Sequence, residues 1–566
     1  MKILIKASKK IIKKIKRFFI DENQFIKPNL RKDSKVGVYG HLDFIDEKGI
    51  YGWFVNLDNP NDNELTIKID GIEVGKVKPS FQREDINNIL DDTVISGFFI
   101  KWDNLDISGS ILNQKEKIII EIYYKDVKFE QSKAINLNSI TKAFIVNDKT
   151  IVVGHYLCIE NQTVFLEDEH GKRYFLDTNL VFKYTRNDIS PLLLKYSISN
   201  LKTGFIYIIN SKINRLTLKM INSEKEDLVL NSKEVEIFTD DIKSIVNSLF
   251  GLTENIHDFI NFAKFIRENI LEEYLKKRKQ SLENLNVNVY EYGEQIENPE
   301  VSIIIPIYKR FDFVEHQILE FIKDNYIKEK AEIIYILDDP GIKEAFETEI
   351  GLLYKMFRFP IKWIDGQVNR GFSGANNLGA KHTKGEHILF LNSDCIPKKE
   401  GWLKEMVELL KNNEEIGIVG CRLLYPDGSI QHAGMEFKYL KEWDVYLNHH
   451  PYLGLDPILD PSKDITEYPA VTGACMLMRK TDFEAVGGWD GLYLIGDFED
   501  SDLCLKVNTI LNKKIIYTPL VELTHLERQS YRYFSDDTTK LRITLYNAKR
   551  HYDKWKEVLD LKGTEF

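Results

Sequence analysis

The sequence predicts a multidomain protein in which a C-terminal α/β domain follows two β-sandwich-like modules and a helical linker. From about residue 298 to 530, β-branched apolar runs alternate with helix-length segments, a pattern typical of βαβ units and a mainly parallel sheet. Residues 35–239 show short strand patterns separated by turn signals instead. Residues 240–297 have a helical period, and residues 531–566 predict one or two closing helices. The chain has 566 residues, more than one hydrophobic core usually supports, so we expect about two to four domains.

A basic segment precedes the modules. Residues 1–20 contain eight Lys or Arg side chains and no acidic side chain. Their spacing predicts an amphipathic helix within residues 1–34, and such a helix can lie on an anionic membrane with its apolar face inward. A helix docked on the protein itself is the alternative. The first interpretation places the protein in the cytoplasm, peripheral on the inner face of the cell membrane.

Residues 35–137 and 138–239 form an internal repeat. Gly52-Trp53-Phe54 in the first copy matches Gly154-His155-Tyr156 in the second, 102 positions later. Each copy is about a hundred residues long, which is enough for a β-sandwich-like module with its own core. Trp53 is also a candidate for stacking on a sugar ring, with packing in the core as the alternative.

The composition argues against several classes of protein. A net charge of −10 argues against a general nucleic-acid-binding protein. The five cysteines are scattered without short paired spacing, which argues against a disulfide framework or a zinc module and fits reduced thiols. No run of 18 apolar residues occurs, so no transmembrane helix is expected.

Polar side chains follow three apolar strand patterns in the α/β domain. The strands and the residues after them are Val301–Ile307 with Tyr308-Lys309-Arg310, Glu332–Leu337 with Asp338, and His387–Leu391 with Asn392-Ser393-Asp394. Because ligands of open α/β sheets bind beyond the carboxyl ends of the strands, we expect these polar side chains to line one site. Divalent cations that bridge phosphates prefer carboxylate oxygen, which makes Asp394 a candidate metal ligand. An ordinary turn is the alternative for the Asn-Ser-Asp triplet.

Two further segments carry candidate residues. In Asn369–Ala380, glycines and other small residues allow a backbone to approach a phosphate closely, and Arg370 could pair with a diphosphate as a fork donor. In Asp497–Asp502, four acidic residues precede an apolar run that predicts the start of a helix. The helix dipole favours acids in a first turn, but clustered like charges also raise at least one pKa. A carboxylate in such a cluster can take a proton from a hydroxyl group.

Together with Pro469–Leu477 and Glu522–Ser530, these segments resemble, in order and in residues, the motifs of the family 2 glycosyltransferases. Members of that family are inverting enzymes with the GT-A fold. The resemblance covers about residues 299–530 and six motifs in the same order. It implies a GT-A domain that binds a nucleotide-diphospho-sugar. The segment His41–Phe54 is also similar to a module attached to bacterial glycosyltransferases.

The resemblance implies roles for individual residues. Asp500 is expected to be the general base, with Glu499 positioning the acceptor. Asp394 and His525 are expected to hold a divalent metal, Mn²⁺ or Mg²⁺, with a purely structural histidine as the alternative for His525. The residues expected to bind the nucleotide sugar are Pro306, Tyr308, Arg310, Asp338, Asn369, Arg370, Gly371, Asn376, Asn392 and Ser393. Those expected to position donor and acceptor are Thr472, Gly473, Trp489 and Asp497.

One departure from the family pattern concerns the metal. The familiar Asp-x-Asp reads Asn392-Ser393-Asp394 in this chain, so the first carboxylate is missing and weak metal affinity is expected. The implied function is metal-dependent, inverting transfer of a sugar from a nucleotide-diphosphate donor to a glycan or lipid-linked glycan acceptor in bacterial surface polysaccharide synthesis. Two other hypotheses stay open at this point. A non-catalytic glycan-binding or scaffold protein with a degenerate transferase domain would explain the missing carboxylate, and a nucleotidyltransferase would also use strand-end acids and a metal.

Overall fold

The computed structural model describes the following residues: 38–45, 49–56, 58–90, 94–107, 117–129, 132–156, 163–184, 203–221, 227–237, 242–252, 256–526 and 537–565. The predicted basic helix of residues 1–34 lies outside them. The chain forms two compact units, which are described in turn. The second unit comprises the described residues from Glu236 onward with Phe144–Ile151 and Ile208–Lys212, and the other described residues belong to the first. Within the described residues, no helix has the length and apolar character needed to cross a membrane.

The first described stretch, residues 38–136, consists of short strands and one helix. The strands are β1 Val38–Ile45, β2 Gly49–Asn56, β3 Leu65–Ile69, β4 Ile72–Val77, β5 Phe81–Gln82, β6 Ile95–Lys101, β7 Lys117–Tyr124, β8 Val127–Lys128 and β9 Lys133–Asn136, with helix α1 at Glu84–Leu90 and a 3-10 turn at Trp102–Asn104. They form two sheets in the orders β1-β2-β6-β5 and β4-β3-β7-β8, with β9 paired to β7. Buried side chains from both sheets, such as Phe98 and Ile120, share one hydrophobic core.

Residues 139–237 contain a second set of strands. These are β10 Ser139–Val146, β11 Lys149–His155, β12 Thr163–Asp168, β13 Arg173–Phe175, β14 Val181–Tyr184, β15 Gly204–Ile209, β16 Arg215–Ile221, β17 Asp227–Glu234 and β18 Glu236–Ile237. Their sheets have the orders β14-β15-β11-β10-β18 and β13-β12-β16-β17. The N-terminal region is therefore rich in β-structure, as the sequence indicates, and its division into two modules stays a prediction.

The two glycines that match in the internal repeat, Gly52 and Gly154, are needed for the same structural reason. A Cβ atom at Gly52 would lie 2.5 Å from the ring of Phe98, and one at Gly154 would lie 2.7 Å from the ring of Phe205. Each phenylalanine therefore needs a residue without a side chain on the neighbouring strand. Trp53, beside the first of these glycines, is 7% exposed and packs in a small hydrophobic cluster. Its ring takes part in the core of this structure, which favours the packing alternative over sugar stacking.

The second unit begins with helices and continues into a large sheet. Helix α2 spans Ile242–Phe250, and α3 (Ile256–Ile266) continues through a π-helical turn (Arg267–Leu271) into α4 (Glu272–Glu283). The strands that follow are β19 Asn288–Tyr292, β20 Val301–Ile307, β21 Ala331–Leu337, β22 Ile361–Asp365, β23 His387–Leu391, β24 Cys395–Pro397, β25 Ile416–Leu424, β26 Ile430–His432, β27 Glu436–Leu440, β28 Val445–His449, β29 Thr466–Glu467, β30 Cys475–Arg479, β31 Lys514–His525 and β32 Thr564–Glu565.

Helices and two short turns connect these strands. The helices are α5 Phe313–Lys323, α6 Asn325–Lys330, α7 Lys343–Phe357, α8 Gly371–Ala380, α9 Trp402–Lys411, α10 Lys480–Ala485, α11 Glu499–Leu511 and α12 Asp537–Lys562, and the 3-10 turns are Pro340–Ile342 and Pro457–Leu459. The closing helix α12 has a kink, because Trp555 has a non-helical backbone (φ −116°, ψ 18°).

The main sheet has the strand order β19-β22-β21-β20-β23-β30-β25-β31-β24, with β26 paired to β25 and β29 paired to β31. The strands β22, β21, β20 and β23 are parallel, as are β25 and β31. β30 runs antiparallel between β23 and β25, and β24 runs antiparallel to β31. The prediction of a mainly parallel sheet is therefore confirmed, since β22, β21, β20, β23, β25 and β31 run in one direction. β30 and the edge strands β19 and β24 run in the opposite direction.

Both faces of this sheet are buried, which explains the nearly continuous apolar runs of its strands. In β20, Ile303 and Ile305 face a core formed with α5, α7 and α9. Ile304 faces the opposite core, together with Phe390 and side chains of α8 and α11. Polar residues are consequently concentrated at the strand ends, where the loops begin.

A buried ion pair is the exception within the strands. Lys362 on β22 lies 2.7 Å from Glu332 on β21, and both are 3% exposed. Glu332 also accepts hydrogen bonds from the Ser302 hydroxyl (2.6 Å) and the Lys384 backbone N–H (2.6 Å). Although burial opposes it, this arrangement keeps the pKa of the Glu332 carboxyl below its ordinary value. The ionised Glu332 carboxyl therefore stabilises the fold above the ordinary glutamate pKa, and this contribution is lost as the pH falls.

We predict that Glu332→Ala lowers the free energy of unfolding by about 3–5 kcal/mol, because the buried Lys362 ammonium loses its hydrogen-bonded partner and keeps the half-exposed Glu291 at 3.8 Å. Urea unfolding of the full chain measures the effect. Glu408→Ala is the control, since Glu408 and Lys404 form a pair whose side chains are both 57% exposed, and its loss should change stability by at most about 1 kcal/mol. Equal effects of the two substitutions would contradict the prediction.

Candidate active site

A cavity of about 690 Å³ lies at the carboxyl ends of β20, β21 and β23 in the second unit. Sixteen of the eighteen candidate residues line it, contributed by segments that lie far apart in the chain. They are Pro306, Tyr308, Arg310, Asp338, Asn369, Arg370, Gly371, Asn392, Ser393, Asp394, Thr472, Gly473, Asp497, Glu499, Asp500 and His525. The structure thus brings together residues that the sequence analysis selected segment by segment.

At one end of the cavity, Asp338 anchors the loop that leads into α8. Its carboxylate accepts hydrogen bonds from the backbone N–H groups of Arg370 (2.6 Å) and Gly371 (3.0 Å). The side-chain amide of Asn369 also donates to it, at 3.2 Å. Burial raises the pKa of Asp338 to about 8, although the two backbone donors and the nearby guanidinium groups of Arg370 and Arg278 lower it. Asp338 therefore fixes the backbone of the loop as well as facing the cavity.

Arg370 does not extend its guanidinium fork to a ligand in this structure. Its Nε donates to the Gly366 carbonyl (3.0 Å) and its Nη1 to the Leu282 carbonyl of α4 (2.9 Å). Only Nη2 is buried without a hydrogen bond among the described residues. The expected bidentate pairing with a diphosphate is therefore corrected, because two of the three nitrogens bind backbone carbonyls. Arg278, also on α4, adds a hydrogen bond from Nη2 to the Asn369 carbonyl (2.5 Å) and lines the cavity.

Asp394 and His525 meet because β24 and β31 are paired. Cys395 lies opposite His525 in this antiparallel ladder, so the residue before Cys395 is brought next to the imidazole. His525 Nε2 is 3.3 Å from Asp394 Oδ1. The other ring nitrogen, Nδ1, is 3.2 Å from the side-chain oxygen of Gln431 on β26. The histidine is thus held on both sides, by Asp394 from the turn before β24 and by Gln431 from β26.

The chemistry of these atoms fits a cation. An amide oxygen accepts hydrogen bonds, so the Gln431 side chain fits a proton on Nδ1 of His525, and Nε2 faces Asp394. Two electron-rich atoms 3.3 Å apart repel each other unless a cation or a second proton lies between them. Carboxylate oxygen and imidazole nitrogen are both ligands of Mn²⁺-type metals, and a partner such as Gln431 orients the imidazole as outer-sphere partners of metal ligands do.

Cys395 is the third potential ligand near this pair. One side-chain atom of each of the three residues lies within 4.8 Å of the others. Burial raises the pKa of the Cys395 thiol well above its ordinary value, so the thiolate is disfavoured. The thiol instead donates to the Ala474 carbonyl at 3.4 Å. Asp394 and His525 are therefore the ligand candidates, and Cys395 is a core residue.

Asp500 lies across the cavity, at the second position of α11. Its Oδ2 accepts a hydrogen bond from the Gly473 N–H (3.2 Å) and its Oδ1 from the Ser501 N–H (2.8 Å). Burial, with the negative charge of Asp497, raises the pKa of Asp500 to about 6 despite these donors. Such a carboxylate is ionised at neutral pH and is more basic than an exposed aspartate.

Glu499 differs from its neighbour. It is 7% exposed, and burial, together with the charge of Asp500, raises the pKa of its carboxyl well above the ordinary value. Its Oε2 atom is buried and has no hydrogen-bond partner among the described residues. A protonated carboxyl can donate a hydrogen bond to an oxygen of a ligand. The two adjacent acids are thus suited to different tasks.

The backbone before α11 is strained. Ile495, Asp497 and Phe498 have φ values of 66°, 78° and 74°, in the left-handed region that non-glycine residues rarely adopt. For a β-branched residue such as Ile495 this conformation is especially unfavourable. Backbone strain of this kind persists only where the surroundings fix it, and it is concentrated at functional sites.

Comparisons with known proteins agree with this geometry. Residues 302–487 match the model of the family described as Glycosyl transferase family 2. This segment is a family 2 glycosyltransferase domain. The resemblance that the sequence motifs indicate is therefore confirmed for this segment.

Similar proteins share this domain at modest identity. The chain is 27% identical over 277 residues to the O-antigen biosynthesis protein RfbC of Myxococcus xanthus. This aligned stretch covers 46% of the chain and 20% of that protein. It is 34% identical over 168 residues to the uncharacterized protein y4gI of Sinorhizobium fredii, covering 28% of this chain and 17% of that protein. The chain thus spans about a fifth of the length of these two relatives. A crystal structure of GalNAc-T7 with UDP, GalNAc and Mn²⁺ is 17% identical and covers 46% of this chain and 49% of that one, with a TM-score of 0.35.

Two candidate residues do not line the cavity. Asn376 is fully buried in α8, where its side-chain amide donates to the Phe372 carbonyl (3.0 Å). Trp489 is 1% exposed and its ring packs edge-on against Phe372 and Phe390, with centroids 5.2 and 5.0 Å away. Their predicted roles in binding are therefore corrected, because both side chains pack beneath the cavity.

Several lining residues were not selected from the sequence. Examples are Arg278 on α4, Gln431 on β26, His450 after β28, and Thr544 on α12. None of them lies in one of the motifs that the sequence analysis connected with the site. They reach the cavity only through tertiary packing, so no local signal could have identified them.

Gly473 offers a direct test of how closely the site is packed. A Cβ atom there would lie 2.9 Å from the Trp489 ring and 3.4 Å from Asp500 Cβ. We predict that Gly473→Ala lowers the free energy of unfolding by about 1–3 kcal/mol, because the indole ring must move.

Gly491→Ala is the matched control, measured in the same urea unfolding experiment. Gly491 also lines the cavity, but nothing lies within 4 Å of the position of its Cβ atom. We expect a change of less than about 1 kcal/mol there. If Gly473→Ala were as well tolerated as its control, the packing argument would be wrong.

Proposed function

We propose that the chain is a metal-dependent inverting glycosyltransferase of bacterial surface polysaccharide synthesis. It would move a sugar from a nucleotide-diphosphate donor to a glycan or lipid-linked glycan acceptor. One observation carries the proposal: a basic carboxylate, Asp500, lines the same cavity as the Asp394–His525 pair and Asp338. The similarity to a protein named for O-antigen biosynthesis supports the polysaccharide context.

The donor would occupy the side of the cavity nearest the strand ends. Asp338 and the backbone that it fixes at Arg370 and Gly371 would receive the nucleoside, as the family resemblance implies. Tyr308, Arg310, Asn392 and Ser393 line the same cavity and would contact the nucleotide sugar. A divalent cation held by Asp394 and His525 would neutralise the charge that develops on the departing diphosphate. Asn392 in place of an acid leaves this site with one protein carboxylate, which predicts weak metal affinity.

The acceptor would bind beside α11. Asp500 would take the proton of an acceptor hydroxyl as that oxygen attacks the anomeric carbon. The bond from the anomeric carbon to the diphosphate oxygen breaks in the same displacement, and the leaving diphosphate takes its electron pair. One displacement from the opposite side inverts the anomeric configuration. Glu499, kept protonated by burial, would donate a hydrogen bond that positions the acceptor.

The alternative of a non-catalytic scaffold is not favoured. Its main support was the missing first carboxylate of the Asp-x-Asp motif. A degenerate domain has no reason to retain Asp338, Asp394, Asp500 and His525 around a single cavity. The predicted membrane-peripheral location rests only on the basic residues 1–20 and stays a proposal.

The test of the function is a donor screen. The full chain is incubated with UDP-, dTDP- and GDP-sugars and Mn²⁺, and released nucleotide diphosphate is measured with and without oligosaccharide acceptors. Nucleotide release that requires the metal supports the proposal. Pyrophosphate release from nucleoside triphosphates, without any use of nucleotide sugars, would favour a nucleotidyltransferase instead.

We predict that Asp500→Asn lowers sugar transfer by about 10²–10⁴-fold while nucleotide affinity stays nearly unchanged, because the general base is lost and the donor side is untouched. Steady-state kinetics and calorimetric titration with UDP measure the two effects. In the wild type, transfer should fall as the pH drops below about 6, since the active form of Asp500 is ionised and its pKa is raised to about 6.

The control for the base is Asp444→Asn, because the Asp444 carboxyl is 64% exposed and does not line the cavity. It should leave the rate and the pH profile unchanged. An Asp500→Asn variant that kept most of its turnover would move the base to Glu499 or Asp497.

We also predict that Asp394→Ala removes the metal-dependent part of nucleotide affinity, because the bridging cation loses its only protein carboxylate. Titration of UDP in Mn²⁺ and in EDTA measures this part for the wild type and the variant. A wild type whose UDP affinity is the same in both buffers would show that Asp394 and His525 form an ordinary ion pair.

A further inference from the structure

The last helix, α12, lies beyond the family-matched residues 302–487 but contacts the active site. Thr544, on its second turn, lines the cavity, and its hydroxyl donates to the Asp497 carboxylate at 2.7 Å. Three residues further on, Asn547 is fully buried and faces the loop of residues 490–498. This 490–498 loop leads directly into α11, whose first two residues are Glu499 and Asp500.

Asn547 binds the 490–498 loop through every polar atom of its side chain. Its Oδ1 accepts the Leu494 N–H at 3.0 Å. Its Nδ2 donates both to the Leu494 carbonyl (3.0 Å) and to the Gly496 carbonyl (2.7 Å). The amide thus pairs with both backbone groups of Leu494, as a neighbouring strand would. These bonds flank Ile495, whose left-handed backbone is the least favourable in the loop.

Charged side chains of α12 hold the two ends of the same segment. Arg550 and Lys554 lie 2.9 and 3.0 Å from the Asp490 carboxylate, at the start of the loop. Lys554 also lies 2.6 Å from Asp502 of α11, which is fully buried and accepts a hydrogen bond from the Trp555 indole (2.8 Å). The loop therefore has fixed ends. Between them α12 also contacts Asp497 through Thr544 and the Tyr493 hydroxyl through His551 (3.0 Å), while Asn547 binds the backbone on both sides of Ile495.

We propose that Asn547 is a positioning residue, which holds the strained 490–498 loop so that Asp500 and Glu499 face the acceptor. The inference rests on the proposed function, because it takes Asp500 as the base. The physical reason is that left-handed non-glycine residues cost on the order of 1–3 kcal/mol each and persist only where other contacts over-determine them. Without Asn547, the buried N–H of Leu494 and the Gly496 carbonyl lose these partners, and the Leu494 carbonyl keeps the Gly496 N–H (2.6 Å). The loop therefore gains by relaxing.

The experiment compares Asn547→Ala with a control on the same helix. Leu559→Ala removes a fully buried side chain of α12 that packs in the core and does not contact the loop. Both substitutions should lower thermal stability. Only Asn547→Ala should lower kcat, by about 10²-fold, since a displacement of about 1 Å at a catalytic group has an effect of this size. The affinity for UDP with Mn²⁺ should stay within about twofold of the wild type in both variants, because the donor residues lie on other elements.

Hydrogen exchange supplies a readout that does not depend on turnover. Amides of residues 490–498 should exchange faster in Asn547→Ala than in both the wild type and Leu559→Ala. If Asn547→Ala does not fold, Thr544→Val replaces it in the same two measurements. It removes one exposed hydrogen bond to the loop while keeping the shape of the side chain, and it should lower kcat several-fold.

The outcomes separate the inference from the function on which it rests. A wild type that releases no nucleotide from any sugar donor refutes the proposed function, and the exchange measurement still decides whether Asn547 holds the loop. An active wild type with equal kcat and equal loop exchange in Asn547→Ala and Leu559→Ala refutes the positioning role. If only Thr544→Val folds, unchanged kcat together with unchanged exchange refutes it as well.

Discussion

The pairing of β24 with β31 is the constraint on which the candidate site depends. It places Cys395 opposite His525, so Asp394 meets the imidazole although 131 positions separate the two residues in the chain. A shift of one residue in this register would turn the His525 side chain to the other face of the sheet and separate the pair. The pairing lies at the edge of a sheet whose interior is fixed by two hydrophobic cores, so the register is determined by burial far from the site. The position of the metal candidates is therefore a consequence of how the strands pack.

Buried carboxylates change the stability of this protein with pH in two opposite directions. Asp338, Glu499 and Asp500 have raised pKa values, chiefly because they are buried. Such groups bind protons more tightly in the folded state, so their contribution to stability falls as the pH rises above the ordinary carboxyl range. Glu332, paired with Lys362 in the sheet, has a lowered pKa and contributes stability that is lost as the pH falls. Near neutral pH, the Glu332–Lys362 pair therefore stabilises the fold while the buried acids of the site destabilise it. The proposed reaction needs an ionised Asp500 in this same pH range.

The sequence predicted the structural features that depend on residues close together in the chain. Apolar runs followed by polar residues identified the ends of β20, β21 and β23, because a strand buried on both faces leaves polar residues only at its ends. The direction of β30 could not be predicted in this way, since its apolar run looks the same in either direction. Gln431 and Asn547 were missed because their roles arise from contacts with His525 and Leu494, distant in sequence. The resemblance implied that Trp489 positions donor and acceptor, yet its size and apolar ring place it beneath the surface.

The two sides of the cavity are built by different means, and this difference bears on specificity. On the donor side, backbone groups fixed by strand pairing and by Asp338 define the shape, so a substitution there disturbs the sheet or the loop before α8. On the acceptor side, the path of the 490–498 loop depends on side chains of α12, such as Asn547 and Thr544. Loops supported by a separate element can change without altering the scaffold that holds them. For the proposed transferase, we therefore expect that changes in α12, outside the family-matched segment, alter the acceptor while the donor is retained.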